Sequence, residues 1–240
     1  MNLNPKILQD NSKLLLFSLI AIDLCFGLIY LISSIIRGEA LPAFDFDKPR
    51  TIPIFYAALQ LFAIGFSLVM TWLWRRLHSK RHYRWILLTV GAGFLYLTID
   101  KVFKLHLMIH SFSWLPQFKS GGGAWVFFYV PLGLIIILSG YRDLIALWRY
   151  YPRATLITIL GVGIFLVGGI GVEVINYQFL QSKIWKIQEQ DTSLGIIINA
   201  IKVTLEETVE LLGQSAAIYG ISLFWIKKQL VRRAHNLRSQ

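Results

Sequence analysis

Cysteine is almost absent from this chain of 240 residues: Cys25 stands alone, so neither an intrachain disulfide nor a thiolate zinc site can form. Charge is sparse too, at 15% of residues, where soluble domains carry about a quarter. Acidic side chains are the scarcest, with 13 Asp and Glu against 24 Lys and Arg. No polar stretch is long enough to build a soluble domain, and no nucleophile motif, nucleotide-binding loop or HExxH pattern occurs. These absences exclude a secreted mini-protein and a disordered tail protein. What is present is apolar: 55% of residues are hydrophobic and the mean hydropathy is +0.57, the composition of an integral membrane protein.

Crossing about 30 Å of hydrocarbon takes roughly 20 helical residues, and runs of that length occur at 14–36, 53–74, 85–105, 124–148, 154–179 and 194–226. Their length excludes barrel strands, so the expected fold is all-α: one polytopic domain over 1–240 with six transmembrane helices. The first run is too long for a signal-peptide core and is expected to remain as helix one. With six spans, Lys and Arg divide fifteen to six between the two sides, with Lys101, Lys104 and Lys202 left inside or at the ends of helices. The richer side holds the basic stretch 75–84 and the C-terminal cluster from Lys227 to Arg238. The positive-inside rule therefore puts both termini in the cytoplasm; the expected location is a plasma (inner) membrane, with another energy-transducing membrane as the alternative. The net charge of +11 then describes orientation, its partners being the bilayer and anionic lipids at the cytoplasmic face and not nucleic acid.

The few acidic residues carry the functional signal, because a charge within a span costs roughly 2.5–3.5 kcal/mol on insertion scales. Counting about 1.5 Å per residue from the cytoplasmic ends puts Asp100, Glu210, Glu206 and Glu173 in the outer half, and Asp23 near the midplane. On helix six Asn199, Lys202, Glu206, Glu210 and Gln214 fall on one stripe with Glu207 beside it, and Lys202 is placed to neutralise one carboxylate. On helix three Asp100 and Lys104 are spaced to pair, and His106 with His110 forms an HxxxH spacing that brings two imidazoles within reach of one metal ion. Helix five adds Glu173, Asn176 and Tyr177, and its glycines read as a helix-packing surface. Asp23 and Gln60 stand alone on their helices, and either could hydrogen-bond across the bundle.

Two of these segments carry a resemblance. The run from Asp100 through Lys104 to His106 and Leu107, and the run Leu205-Glu206-Glu207-Thr208-Val209-Glu210-Leu211-Leu212-Gly213, are similar to motifs of a group of uncharacterised bacterial multi-pass membrane proteins. That group carries Asp-Glu, four residues and His-Glu in the third span, and Glu-Glu with Glu-Met-Leu-Gly in the last. Asp100 and His106 match the first motif, while Lys101 and Leu107 stand where it has acids. The resemblance implies that Asp100, His106, Glu206, Glu207 and Glu210 belong together, and it implies no activity.

The leading expectation is a protein that binds and moves a cation, a proton or a metal ion, at an outward-facing cluster of Asp100, Glu206, Glu210, Glu173 and His106. Lys104, Lys202, Glu207, Gln214 and Asn176 would support it as ion-pair or polar neighbours. A metal ion is the cofactor such a cluster would take. A second expectation is a non-catalytic subunit or assembly factor of a larger membrane complex, or a homo-oligomer, in which the same cluster is a structural lock. A membrane-embedded, metal-dependent lipid enzyme is the third, and its lack of a nucleophile motif argues against catalysis.

Overall fold

A computed structural model describes residues 5–78, 85–109, 115–119 and 123–238. Among them the chain is mainly helical and holds no strand, as hydrocarbon demands of backbone groups that have no water to bond. The helices are α1 (Pro5–Arg37), α2 (Ile52–His78), α3 (Trp85–Phe103), α4 (Leu105–Met108), α5 (Val126–Ser139), α6 (Tyr141–Tyr150), α7 (Pro152–Leu166), α8 (Val172–Ile175), α9 (Gln181–Gln190) and α10 (Thr192–Arg238). Among the described residues five stretches are long and apolar enough to cross a membrane, and the bent pair α5 and α6 makes up to six. These are the dimensions of a multi-pass membrane protein.

Three of the expected spans differ in form. The third stops at Phe103 because Lys104 adopts a left-handed conformation (φ 51°), and the chain restarts as the single turn α4. The fourth is not one rod: α5 and α6 meet at 63° around Gly140. A Cβ there would sit 2.5 Å from Ile86, so glycine permits the close approach of α3. At 14 residues α5 is only about 21 Å long and falls short of a bilayer by itself. The fifth runs on to residue 189, with two π-helical segments, Val167–Gly171 and Asn176–Leu180, on either side of α8.

Helix α10 is the axis of the bundle and lies antiparallel to α1. Leu16 packs near Tyr219 and Leu223, while Tyr30 lies with Ala200 and Val203. Against α7 the two backbones touch: a Cβ on Gly213 would lie 2.3 Å from Phe165 N, and one on Gly161 would lie 2.4 Å from Ala217 N. The pair α2 and α3 uses the same device at Gly65 and Gly91, where each Cβ would meet the other's carbonyl at 3.0 Å or less. Small residues at crossings are how membrane helices gain close van der Waals contact without a hydrophobic drive. Gly163, by contrast, has nothing within 4 Å.

Candidate functional site

The C-terminal end of α3 meets the middle of α10, and there a lysine closes on two carboxylates. Lys101 Nζ lies 2.7 Å from Glu207 Oε2 and 2.8 Å from Glu210 Oε2, with all three side chains 15% exposed or less. The expected cations are elsewhere. Among the described residues Lys202 closes no ion pair, and Lys104 does not pair with Asp100 but donates to the backbone carbonyl of Asp47. The physical reason is the left-handed turn at Lys104, which ends the helical register that an i, i+4 pair requires.

That turn also gives Asp100 its partner. The backbone N–H of His106 donates to Asp100 Oδ1 at 2.6 Å, and His106 Nδ1 lies 2.9 Å from Oδ2. Asp100 thus takes up a free amide at the start of α4 and orients the imidazole. With Nδ1 committed in this way, His106 offers a metal only its other nitrogen. His110 lies outside the described residues, and among those residues no three His, Cys, Asp or Glu side chains gather as a metal would need.

Glu173 enters from the fifth span and accepts a hydrogen bond from Trp125 Nε1 at 3.0 Å. The Trp125 ring meets His106 edge-on, with centroids 5.6 Å apart, so an unbroken line of contacts runs from Asp100 through His106 and Trp125 to Glu173. The π-helical segment before α8 brings Gly168 and Gly169 against α10. A Cβ on Gly168 would lie 2.8 Å from Glu210 N, and one on Gly169 would lie 2.7 Å from Glu210 Oε1. Glu206 lies in the field of Glu207, Glu173 and Glu210, opposed by Lys202, and forms no ion pair among the described residues. Asn176 is buried beside this cluster's helix with its Oδ1 unpartnered. Of the expected groups Asp100, His106, Glu173, Glu206, Glu207 and Glu210 lie near one another, with Lys101 as counter-ion and Trp125 as connector, two residues that the sequence did not single out. A buried indole N–H seeks an acceptor, so Trp125 at the start of its helix was a usable signal.

Asp23 and Gln60, each alone on its helix, hydrogen-bond across the bundle. Asp23 is fully buried and accepts hydrogen bonds from Ser215 Oγ at 2.6 Å, Tyr56 OH at 3.0 Å and Gln60 Nε2 at 3.2 Å. Gln60 Nε2 also donates to Ser215 Oγ at 3.1 Å, which ties α1, α2 and α10 together. Gln214, the neighbour of Ser215, is fully buried with neither amide atom partnered.

At the basic segments, the side chains of residues 75–84 lie outside those described, as do those beyond Val231. Lys227 is engaged inside the protein, donating to the Tyr150 carbonyl at 2.6 Å with its ammonium over the Tyr151 ring. Lys228 lies over the rings of Trp74 and Trp225. These two lysines of the C-terminal cluster thus serve packing as well as any lipid contact.

No curated protein and no solved structure matched the chain. A family model did, over residues 16–225, which include every helix of the site. The chain belongs to the family of the domain of unknown function DUF8692.

Proposed function

We propose that this protein is a six-span membrane protein with both termini cytoplasmic, and that it binds and moves a cation, a proton in preference to a metal ion, at an outward-facing site of Glu206, Glu207, Glu210 and Glu173. The observation that carries the reading is that, among the described residues, Lys101 is shared by Glu207 and Glu210 while Glu206 forms no ion pair. Lys101 supplies one positive charge to a group of carboxylates that outnumber it, in surroundings where an uncompensated charge is costly. A proton arriving at Glu206 relieves that imbalance with no coordination shell. A metal ion would need several ligands at once, and the His106 and Asp100 groups that suit it are already bonded to one another. A proton on either carboxylate of the shared pair loosens its own bond to Lys101 and leaves the ammonium to the other, so occupancy is coupled to the contact between α3 and α10.

Purified protein in liposomes should take up protons in an acid titration, and Glu206→Gln should remove that uptake at equal protein amount. Uptake unchanged by Glu206→Gln and Glu210→Gln would overturn the reading.

A second reading is a subunit or assembly factor, and the lysine bridge favours it as well, since a cluster neutralised from within can act as a structural lock. Helix α5 adds a broad exposed apolar face at Leu132, Leu134, Ile135, Ile137 and Leu138, suited to lipid or to partner helices. Purification in mild detergent separates the two: a stable hetero-complex supports the subunit reading, and a lone protomer or homo-oligomer counts against it.

A further inference from the structure

The outer carboxylates do not end the polar material on α10. One turn along from Glu210 comes Gln214, and next to it Ser215, whose hydroxyl donates to Asp23 at 2.6 Å. The axial distance from Glu210 to Ser215 is about 7–8 Å, and no wholly apolar turn intervenes. Asp23 is completely buried, faces three donors, and forms no ion pair among the described residues. Buried polar atoms without a partner lie along this stretch: Oε1 of Gln60, which bonds Asp23 through its Nε2, both amide atoms of Gln214 on α10 between Glu210 and Ser215, and Oγ1 of Thr208. Thr208 stands against Gly27, one turn from Asp23, where a Cβ would lie 2.3 Å from its hydroxyl oxygen.

Unpartnered buried amides are rare because each forfeits the hydrogen bonds it had in water. Several such atoms beside one carboxylate are the polar lining that an internal water requires, since a buried water makes two to four hydrogen bonds. We infer that Asp23 is a second proton-binding carboxyl, joined to Glu210 by water held on Gln214, so that the outer cluster and the centre of the bundle exchange protons. The inference rests on the proton reading of the outer site and extends it inward. The titratable groups concerned are few. Tyr56 of α2 is the ionisable group bonded to Asp23. Lys101 and His106 from the α3–α4 segment, with Glu206 and Glu207 of α10, act on Glu210 and its shared site.

Infrared difference spectra of the full protein in liposomes, taken between alkaline and acid buffer, test this. A protonated-carboxyl band is expected that Asp23→Asn removes and Ser215→Ala shifts, the second variant guarding against misfolding of the first. Gln214→Leu should keep the band and slow its hydrogen–deuterium exchange about tenfold or more. The inference is overturned if no band answers to Asp23 and Ser215, if exchange in Gln214→Leu matches wild type, or if the band follows sodium at fixed pH. A titrating Glu210 band with a silent Asp23 sinks this inference alone. A titrating Asp23 with a silent Glu210 sinks the outer-site reading and leaves Asp23 as a separate proton site.

Discussion

Lys101→Met tests the ion-pair layer one residue at a time. It removes the shared ammonium and leaves Glu207 and Glu210 facing each other at low exposure. Breaking a buried pair from one side costs about 3–5 kcal/mol, so the unfolding midpoint in detergent should fall well below wild type. Adding Glu207→Gln and Glu210→Gln to Lys101→Met should restore most of that loss; a triple variant no more stable than the single one contradicts the bridge. Trp125→Phe keeps the ring contact and deletes the N–H donated to Glu173. A hydrogen bond to a charged group contributes about 1.5–3 kcal/mol, and a stability loss of that size is expected by the same measurement. At this scale the sequence made the carboxylates legible, because acids are so few that Asp100, Glu206 and Glu210 stand out. The partner of each was not legible. Helical spacing offered Lys104 and Lys202, but a three-dimensional crossing decided for Lys101, and a turn at residue 104 that no spacing rule anticipates decided for His106.

The elements are held by close backbone approach more than by side-chain bulk. Gly213→Ala would drive a Cβ to 2.3 Å from Phe165 N, where backbone has no room to yield. Overpacking costs typically about 1–3 kcal/mol, so the protein should unfold earlier in denaturant. Gly163→Ala, with nothing within 4 Å, should instead be neutral or gain up to about 1 kcal/mol from helix propensity. Equal effects at the two positions would contradict the crossing of α7 and α10. That the chain holds long apolar helices was readable from hydropathy, whereas their shape was not. The break at Gly140 lies where Ile86 of another helix packs, and the π-helical segment Val167–Gly171 lies against α10. Such segments often mark functional positions in helices, and here they flank the only carboxylate that the fifth span contributes before Glu189.

At the scale of the whole molecule, α10 gathers two polar layers, the lysine bridge and the Asp23 network, into one helix packed by α1, α2, α3 and α7. The orientation proposed from the Lys and Arg distribution predicts that a C-terminal fluorescent fusion is bright and a C-terminal periplasmic phosphatase fusion inactive; the reverse pattern would turn the site to the cytoplasm. The most direct test of the central claim is proton flux in proteoliposomes, driven by an imposed pH gradient and followed by an entrapped dye. Wild type should equilibrate the gradient, and Glu210→Gln at equal protein density should be as slow as empty liposomes; flux through Glu210→Gln at the wild-type rate would contradict the account.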